Sequence, residues 1–466
     1  MTVDYDGVIL GGTVQGREAA ALAVREGARV ALIEPPGAVE NHIRQQIGLT
    51  ALAGAGARAD WDGLKHHISA LEAVAYPHLS LDRLATSGVD VVLEPGQFSP
   101  RPQLAVTTST RRLRSRGYLL APGSEVTVPA IPGLAGTPYL TLTTLLKLAS
   151  PPETAIVLGR SGTAIALAQA LAHLGTRTTL ITRGKSLLPT EDPDISSFVA
   201  ALLEAAGVTL YLNLSLAAVQ YNAGFELALA DGQTLSTSTL VLATASHPTL
   251  EHLNLRSIGI QPRMTQGNIT AVPVDDRLVT AHPRVFACGP ALGGYWAEAT
   301  DHQDVAIAIR NALYLPLRKL SLLNRMALLY TTPEYGRLGL TADQANRYYG
   351  SEVTAVQVPF GQLLKPHYGD DITGFCRWMV RTDGQILGAQ ICGPGASELL
   401  HTVAIAIHQG IPIQRLDRVP TLAHSHAAMV ARMADTWQQQ RWHQGTWRRD
   451  WAENWFNWRR SRRRRW

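Results

Sequence analysis

Glycines and one acidic residue near the start of the chain are spaced as a dinucleotide site requires. Gly11, Gly12 and Gly16 surround Thr13 between a short apolar run and an alanine-rich stretch. Such glycines let the backbone approach a pyrophosphate, and the helix that follows attracts its charge. Glu34 ends the next apolar run, 18 residues after Gly16, where a carboxylate can accept both hydroxyls of an adenosine ribose. Because Thr13 replaces the middle glycine, an ordinary strand-to-helix turn is the alternative.

A second turn of the same kind follows the apolar run 155–159. It carries Gly159 and, in place of the middle glycine, Ser161. The strand after the next helix ends at Arg183, with Lys185 two residues on and no acid before Glu191. A basic side chain at this position suits a nucleotide with a ribose phosphate. The alternative is a decayed site whose basic residues are solvated.

These turns must be positioned by parallel sheets, because each occurs in the order strand, turn, helix, strand. Residues 330–420 instead alternate strand patterns with one apolar helix, which is typical of an α+β domain. We therefore predict an α/β fold of two nested Rossmann-like dinucleotide-binding domains, a C-terminal α+β dimerisation domain and a Trp/Arg-rich helical tail. The predicted domains are 1–150 and 271–325 (two parts of the first), 151–270 (the second), 326–436 (dimerisation) and 437–466 (tail).

Composition points to a protein of a reducing compartment. The 466 residues include three cysteines, Cys288, Cys376 and Cys392, too few for a disulfide framework. No apolar run is long enough to span a membrane, so we expect a cytoplasmic protein. Nine arginines in 437–466 account for the net charge of +5, and the rest of the chain is close to neutral. No histidine set with a clear third ligand is present, so no metal site is predicted.

Several ordered segments resemble the pyridine nucleotide–disulfide oxidoreductases, the family of glutathione reductase, dihydrolipoamide dehydrogenase and mercuric reductase. The similarity covers about residues 1–430. The chain looks most like the mercuric-reductase-like members of cyanobacteria, some of which also end in a Phe-Asn-Trp-Arg-Arg-Ser tail, as residues 456–461 do here. Besides the first turn, the matching segments are LLAPGSEVTVPAIPGL (119–134), AIVLGRSGTA (155–164), LVLATASHPTLEHLNLRSIGI (240–260), HPRVFACGP (282–290) and TTPEYGRLGLT (331–341).

The resemblance implies that the first site binds FAD, and it adds Gly123 and Gly289 to the residues that contact this cofactor. It implies NADPH at the second site, since Arg183 stands where relatives that use NADPH carry an arginine for the 2′-phosphate. It also implies a homodimer. Pro290 replaces the family's aspartate for the ribityl chain, so we expect weaker FAD binding.

Other departures from the family concern thiol chemistry. The redox cysteine pair that should follow Glu34 is missing, and the glutamate of a buried Lys–Glu pair is Ala166. In the C-terminal acid–base motif, Val419 replaces the histidine and His424 replaces the glutamate. Reduction of disulfides, lipoamide or mercuric ion is therefore disfavoured.

The last thirty residues contain seven tryptophans, of which Trp447, Trp451, Trp455 and Trp458 fall on one face of a helix. Tryptophan flanked by arginine is typical of helices at an anionic membrane surface. Packing on the protein's own dimer and docking of an acidic partner or nucleic acid are the alternatives.

We predict an FAD-dependent oxidoreductase in which electrons pass directly through the flavin, without a thiol relay, from NADPH or a protein donor to a non-disulfide acceptor. Quinones, dyes and a carrier such as ferredoxin are the candidate partners. No catalytic acid or base is assigned. The alternative hypothesis is a decayed flavoprotein retained as a binding or scaffold protein.

Overall fold

The computed structural model describes most of the chain. The described residues are 3–35, 47–48, 50–52, 61–265, 268–293, 302–321, 323, 325–369, 371–444 and 446–462. They divide into two compact units, Met1–Ser321 with Leu329–Thr332, and Leu322–Leu328 with Pro333–Trp466.

Eleven α-helices have both ends within the described residues. They are α1 (Val14–Arg25), α2 (Trp61–Val74), α3 (Leu81–Thr86), α4 (Leu142–Leu145), α5 (Gly162–His173), α6 (Pro193–Ala205), α7 (His302–Leu313), α8 (Ala342–Tyr349), α9 (Ala396–His408), α10 (Ala428–Gln444) and α11 (Thr446–Arg462).

The strands of the first unit come before residue 290. They are β1 (Tyr5–Leu10), β2 (Val30–Ile33), β3 (Asp90–Val92), β4 (Gln97–Ser99), β5 (Ala105–Thr107), β6 (Arg112–Leu113), β7 (Ser115–Leu120), β8 (Ser124–Val126), β9 (Thr154–Leu158), β10 (Arg177–Ile181), β11 (Thr209–Tyr211), β12 (Leu216–Tyr221), β13 (Phe225–Leu229), β14 (Thr234–Thr237), β15 (Thr239–Leu242), β16 (Ser246–Pro248), β17 (Arg263–Thr265), β18 (Asn268–Ala271) and β19 (Val285–Ala287). The later strands are β20 (Met326–Leu329), β21 (Tyr335–Gly339), β22 (Val353–Pro359), β23 (Phe375–Arg381) and β24 (Ile386–Cys392).

A parallel five-stranded sheet in the order β19-β7-β1-β2-β3 forms the first dinucleotide-binding fold. Strand β2, the end of β1 and the end of β7 are fully buried because both faces of the sheet are covered. Ile9 faces α1 and α7, whereas Val8 and Leu10 face a second cluster that includes Phe98 and Val106. The chain goes from β1 to β2 on one side and to β7 and β19 on the other. This reversal at β1 is where open parallel sheets bind their ligands.

The second dinucleotide-binding fold repeats this arrangement with a four-stranded parallel sheet, β11-β10-β9-β15. Helix α5 connects β9 to β10, as α1 connects β1 to β2. The antiparallel sheet β12-β13-β14 shares a core with it, in which Ile156 and Leu158 pack with Phe225 and Leu227. The two turns noted in the sequence therefore lie at equivalent places in two equivalent folds.

The second compact unit contains a five-stranded sheet, β20-β21-β24-β23-β22, whose core includes residues of α9 and α10. Trp437 is buried in this core. The tail boundary expected between 436 and 437 therefore lies inside α10. Beyond it, α11 confirms the helix expected for the tail. No helix within the described ranges is long and apolar enough to cross a membrane.

Candidate dinucleotide-binding sites

The turn after β1 can be built only with glycine at two of its positions. Gly11 has a φ of +118°, and a side chain there would clash with the carbonyl oxygen of Ala121, the residue after β7. A side chain at Gly16 would clash with the carbonyl oxygen of Gly11. Helix α1 can therefore begin directly above the end of β1, with its N-terminus at the carboxyl edge of the sheet.

Thr13 closes this turn with its own side chain. It is the N-cap of α1, and its hydroxyl accepts a hydrogen bond from the Gly16 N–H at 3.2 Å. The same hydroxyl donates to the carbonyl of Ala121 at 3.0 Å, and the side chain is fully buried. Thr13 thus satisfies one N–H of the helix N-terminus, the kind of group that would otherwise bind a phosphate.

Glu34 lies directly after β2, and its carboxylate touches the backbone of Gly12, where any side chain would collide with it. The carboxylate accepts from Arg17 through both oxygens, at 2.7 Å from Nη2 and 3.3 Å from Nε. Burial raises the pKa of Glu34, and the Arg17 guanidinium opposes that shift. Because each carboxylate oxygen has a second lone pair, pairing with Arg17 still leaves acceptors for ribose hydroxyls.

Gly123 and Gly289 complete the edge on the other side of β1. A Cβ at Gly123 would lie 3.9 Å from the methyl carbon of Thr13. Gly289 has a φ of +58°, and a Cβ there would lie 3.4 Å from Cγ of Gln15 in the first turn of α1. The seven residues predicted for the first site thus come together at one edge of one sheet, and Gln15 lies beside Gly289 there.

The second turn has the same construction. Gly159 has a φ of +151°, and a side chain there would clash with the carbonyl oxygen of Ala243, the residue after β15. Ser161 is the N-cap of α5, and its hydroxyl accepts from the Ala164 N–H at 3.1 Å. It donates to the Ala243 carbonyl at 2.7 Å. A capping hydroxyl thus replaces the middle glycine in both folds.

Gly159, Ser161 and Arg183 line one cavity of about 640 Å³ above this turn. Arg160, which the sequence analysis did not single out, lines it as well. A Cβ at Gly184 would lie 2.7 Å from Nη1 of Arg160, so this guanidinium reaches the loop that carries Arg183. The cavity therefore has two guanidinium groups and can hold an anionic ligand. Its other lining residues are Pro129, Ala130, Ile131, Leu158, Ile181, Thr182, Gly184, Ser215, Leu216, Thr244, Ala245, Ser246 and Thr270.

All three cysteines are free and buried. Burial raises the pKa of the Cys392 thiol to about 12, and it also raises the pKa of Cys288 and of Cys376. A thiol with so high a pKa stays protonated at neutral pH and is a poor nucleophile. Among the residues that the structure describes, no three His, Cys, Asp or Glu side chains are grouped to hold a metal ion.

Two further features of the second unit bear on function. The ring of His424, which stands in the C-terminal motif, is stacked on Tyr368 and lies 2.8 Å from its hydroxyl through Nδ1. On α11, the indole rings of Trp451, Trp455 and Trp458 stack in sequence with centroid distances of 5.9 and 5.0 Å. All three are exposed. The side chain of Trp447 lies outside the described residues.

Two dinucleotide-binding folds, each with a glycine turn at its switch point, define the class of flavin- and nicotinamide-linked oxidoreductases. Residues 5–308 match the family model of the pyridine nucleotide-disulphide oxidoreductases, and residues 326–432 match the model of their dimerisation domain. The chain belongs to this family. Its members are FAD-binding, NAD(P)H-dependent oxidoreductases, and the dimerisation domain supports a homodimer.

The chain is 26% identical to a mercuric reductase of Staphylococcus aureus over 438 residues, which are 89% of this chain and 79% of that protein. It is 26% identical over 419 residues to a probable pyridine nucleotide-disulfide oxidoreductase, RclA, of Escherichia coli, covering 88% and 93% of the two chains. Across five matching mercuric reductases, it spans between 49% and 79% of their length.

Among solved structures, LpdA from Mycobacterium tuberculosis superposes with a TM-score of 0.82 at 22% identity, over 92% of this chain and 98% of that one. This similarity and the family models confirm the α/β fold with its dimerisation domain that the sequence predicts. The family models also confirm the predicted family and cofactor class.

Proposed function

We propose that this chain is an FAD-dependent oxidoreductase that passes electrons directly through the flavin, without a thiol relay, to an acceptor that is not a disulfide. The observation that carries this proposal is the distribution of cysteines. No cysteine precedes Cys288, so the stretch after Glu34 has none to offer. Residues 36–46 lie outside the described part of the chain, and their sequence contains no cysteine.

The buried state of the remaining thiols supports the proposal. Disulfide exchange requires a thiolate that can reach its partner. Cys288 is fully buried behind β19, and Cys376 and Cys392 lie within strands β23 and β24 of the second unit. Their raised pKa values keep them protonated. None of the three has the exposure and low pKa of a catalytic cysteine.

The C-terminal motif supports it as well. By resemblance, a histidine and a glutamate at this motif would exchange protons with a thiol. Here Val419 has no proton to exchange. His424, the other replacement, is hydrogen-bonded through Nδ1 to the hydroxyl of Tyr368. Proton transfer to a dithiol substrate therefore has no assigned residue in this stretch.

For the cofactor, Gly11 and Gly16 would let the FAD pyrophosphate approach α1, and Glu34 would accept from the adenosine ribose. Bound FAD would supply the ring that accepts and releases electrons. The chain itself would hold the cofactor at this edge of the sheet. Without a thiol relay, the acceptor would take its electrons from the flavin.

For the electron donor we propose NADPH, held in the cavity of Gly159 and Ser161. Arg183 and Arg160 both face that cavity and would pair with phosphate oxygens. Among the described residues that line it, none is acidic and could accept ribose hydroxyls. A protein donor such as a ferredoxin would replace NADPH if Ser161 excludes the pyrophosphate.

The acceptor class we propose is a quinone, a dye or a one-electron protein carrier. The exposed stack of Trp451, Trp455 and Trp458 with the arginines of α11 is the proposed docking element for an anionic membrane surface or an acidic carrier. Packing of this helix on the partner subunit is the alternative. Removal of 445–466, which leaves α10 and the buried Trp437 intact, would distinguish the two.

A flavin-free binding protein is the rival function. The capping hydroxyls of Thr13 and Ser161 favour it, because each satisfies a helix N-terminus without a phosphate. The two functions differ in a property that is visible on purification. A yellow protein with bound FAD supports the enzyme, and a colourless one that does not take up FAD contradicts it.

An anaerobic titration tests the enzyme further. We expect NADPH, or reduced ferredoxin, to bleach the flavin, and we expect no turnover of glutathione disulfide, lipoamide or oxidised thioredoxin. Rapid turnover of any of these disulfides would contradict the proposed direct transfer. Removing 445–466, which carries α11, without loss of coupling to a protein carrier or a vesicle would contradict the role given to α11.

A further inference from the structure

Gln15 is a buried side chain with an unmet hydrogen-bonding need. It is 3% exposed, and its amide oxygen has no hydrogen-bond partner in the described part of the chain. Burying an acceptor without a donor is costly, and folded proteins keep few of them. A bound group that brings a donor would remove this cost.

The position of Gln15 shows where that donor would come from. It lies in the first turn of α1, and its Cγ and Cδ are 3.4 and 3.6 Å from the Cβ position of Gly289. Gly289 follows Cys288 at the end of β19. The amide therefore lies at the carboxyl edge of the sheet, between the turn after β1 and the end of β19.

The strand order indicates which part of a dinucleotide passes this point. Glu34, at the end of β2, marks the adenosine end, and β19 lies on the opposite side of β1. Between them is the N-terminus of α1, where the pyrophosphate belongs. The segment of FAD that follows the pyrophosphate toward β19 is the ribityl chain. Its hydroxyls are donors, whereas the pyrophosphate has none.

We propose that Gln15 recognises the ribityl chain of FAD, its side-chain amide oxygen accepting a hydrogen bond from one of the ribityl hydroxyls. This role rests on the use of the first site for FAD. Pro290, the next residue after Gly289, has neither an N–H nor a side-chain acceptor. Gln15 supplies the acceptor that this end of the site otherwise lacks.

Substitution of Gln15 by methionine, which keeps the length and shape of the side chain, should have two effects of opposite sign. The apoprotein should melt at a higher temperature, because an unpaired buried acceptor is removed. FAD should bind about 10-fold more weakly, because a ribityl hydroxyl loses its partner. A purely structural glutamine would give lower stability and no change in affinity.

Gln169 provides the matched control. It is also 3% exposed and in a helix, α5, but its amide is fully paired with Thr332, donating to the carbonyl at 2.8 Å and accepting from the N–H at 2.7 Å. Gln169→Met should therefore lower the melting temperature of the apoprotein and leave its affinity for FAD unchanged.

FAD analogues that each lack one ribityl hydroxyl identify the contact. Affinities are measured by quenching of flavin fluorescence on the full-length apoprotein. One analogue should bind the natural protein about 10-fold more weakly than FAD, and Gln15→Met should bind that analogue and FAD equally. The proposal is overturned if Gln15→Met lowers apoprotein stability or leaves the affinity for FAD unchanged. It is also overturned if, for every analogue, the loss of affinity caused by the substitution simply adds to the loss caused by the missing hydroxyl. Neither the melting temperature nor the affinity for FAD depends on an electron donor or acceptor. These measurements therefore test the role of Gln15 even if the proposed electron transfer proves wrong.

Discussion

Thr13 and Ser161 occupy the same place in two successive folds and make the same pair of hydrogen bonds. Each hydroxyl accepts from the N–H three residues on and donates to the carbonyl of an alanine that follows another strand of the sheet, Ala121 or Ala243. The repetition means that the loss of the middle glycine is one structural solution used twice. Both helix N-termini are capped by the protein itself.

Removing either hydroxyl should free a helix N-terminus for phosphate. We expect Thr13→Gly to bind FAD, and Ser161→Gly to bind NADPH, several-fold more tightly, because one backbone N–H and the space of the side chain become available. Loss of the cap should cost only a few tenths of a kcal/mol in stability when glycine replaces it. Calorimetric titration with each nucleotide measures both affinities.

The control for these variants is Thr341, the N-cap of α8 in the second unit, which accepts from Gln344 N–H at 3.3 Å. Thr341→Gly should lower stability slightly and change neither affinity. Unchanged or weaker nucleotide binding by both Thr13→Gly and Ser161→Gly would show that the hydroxyls do not compete with phosphate.

The two guanidinium groups of the second cavity should set the choice of nicotinamide nucleotide. We expect reduction of the flavin to be faster with NADPH than with NADH by about 5- to 150-fold, the value of one arginine–phosphate contact. Arg183→Ala should remove most of this preference, and Arg160→Ala should weaken the binding of both nucleotides. Anaerobic stopped-flow absorbance at the flavin band measures the rates.

Lys185 tests whether the preference for NADPH depends on a basic side chain that lines the cavity or only on positive charge nearby. It is two residues from Arg183 but does not line the cavity. Lys185→Ala should leave the ratio of the two rates unchanged. A preference for NADH in the natural protein would reject the role of Arg183.

The buried ion pair at the first site should be sensitive to removal of its cation. Arg17→Met leaves the Glu34 carboxylate buried without its partner, at a cost of about 3 kcal/mol in the free energy of unfolding, the lower end for buried pairs. Burial already raises the Glu34 pKa, and loss of Arg17 raises it further. The deficit should therefore shrink as the pH falls toward the ordinary range of a carboxyl and grow as the pH rises through the raised pKa.

Urea unfolding at several pH values measures this dependence. The matched control is Arg114→Met, which breaks an ion pair with Asp4 whose side chains are each 36% exposed. It should cost much less. Because Arg114 lowers the pKa of Asp4, this cost should not grow above the ordinary pH range of a carboxyl. Equal costs for the two variants would show that the Arg17–Glu34 pair is solvated.

The three thiols should be unreactive toward alkylating reagents in the native protein. We expect iodoacetamide to label none of Cys288, Cys376 and Cys392 at mildly alkaline pH, because burial raises the pKa of Cys392 to about 12 and that of the other two as well. All three should react in denaturant, which mass spectrometry of the alkylated protein will show. Cys288→Ala should retain the flavin reduction rate, and rapid labelling of any native thiol would weaken the case for direct transfer.

The exposed face of α9 should belong to the subunit interface. Ile405 is 63% exposed, although the opposite face of the helix is buried in the core. Ile405→Asp should weaken the dimer, seen by light scattering as a lower mass on dilution. Tyr348→Asp, on the equally exposed face of α8, serves as the comparison. A natural protein that is monomeric at micromolar concentration would contradict the prediction.

The sequence by itself determined the two folds and predicted the residues of their sites. A glycine turn needs no tertiary context to be recognised, because only glycine tolerates the conformation of Gly11 and Gly159 next to a strand end. Glu34 and Arg183 are predicted in the same way, from their distance along a strand–helix–strand unit of nearly constant length. The order of these units and the family resemblance then fixed the α/β architecture.

The tertiary structure decided which side chains serve these turns. Gln15 was not found, because the residue that makes it informative, Gly289, is brought beside it only when β19 joins the sheet on the far side of β1. Arg160 was missed because its direction into the cavity depends on the loop at Gly184. Hydrogen-bond partners distant in sequence, such as Ala121 for Thr13, are set by strand order, and no local pattern encodes them.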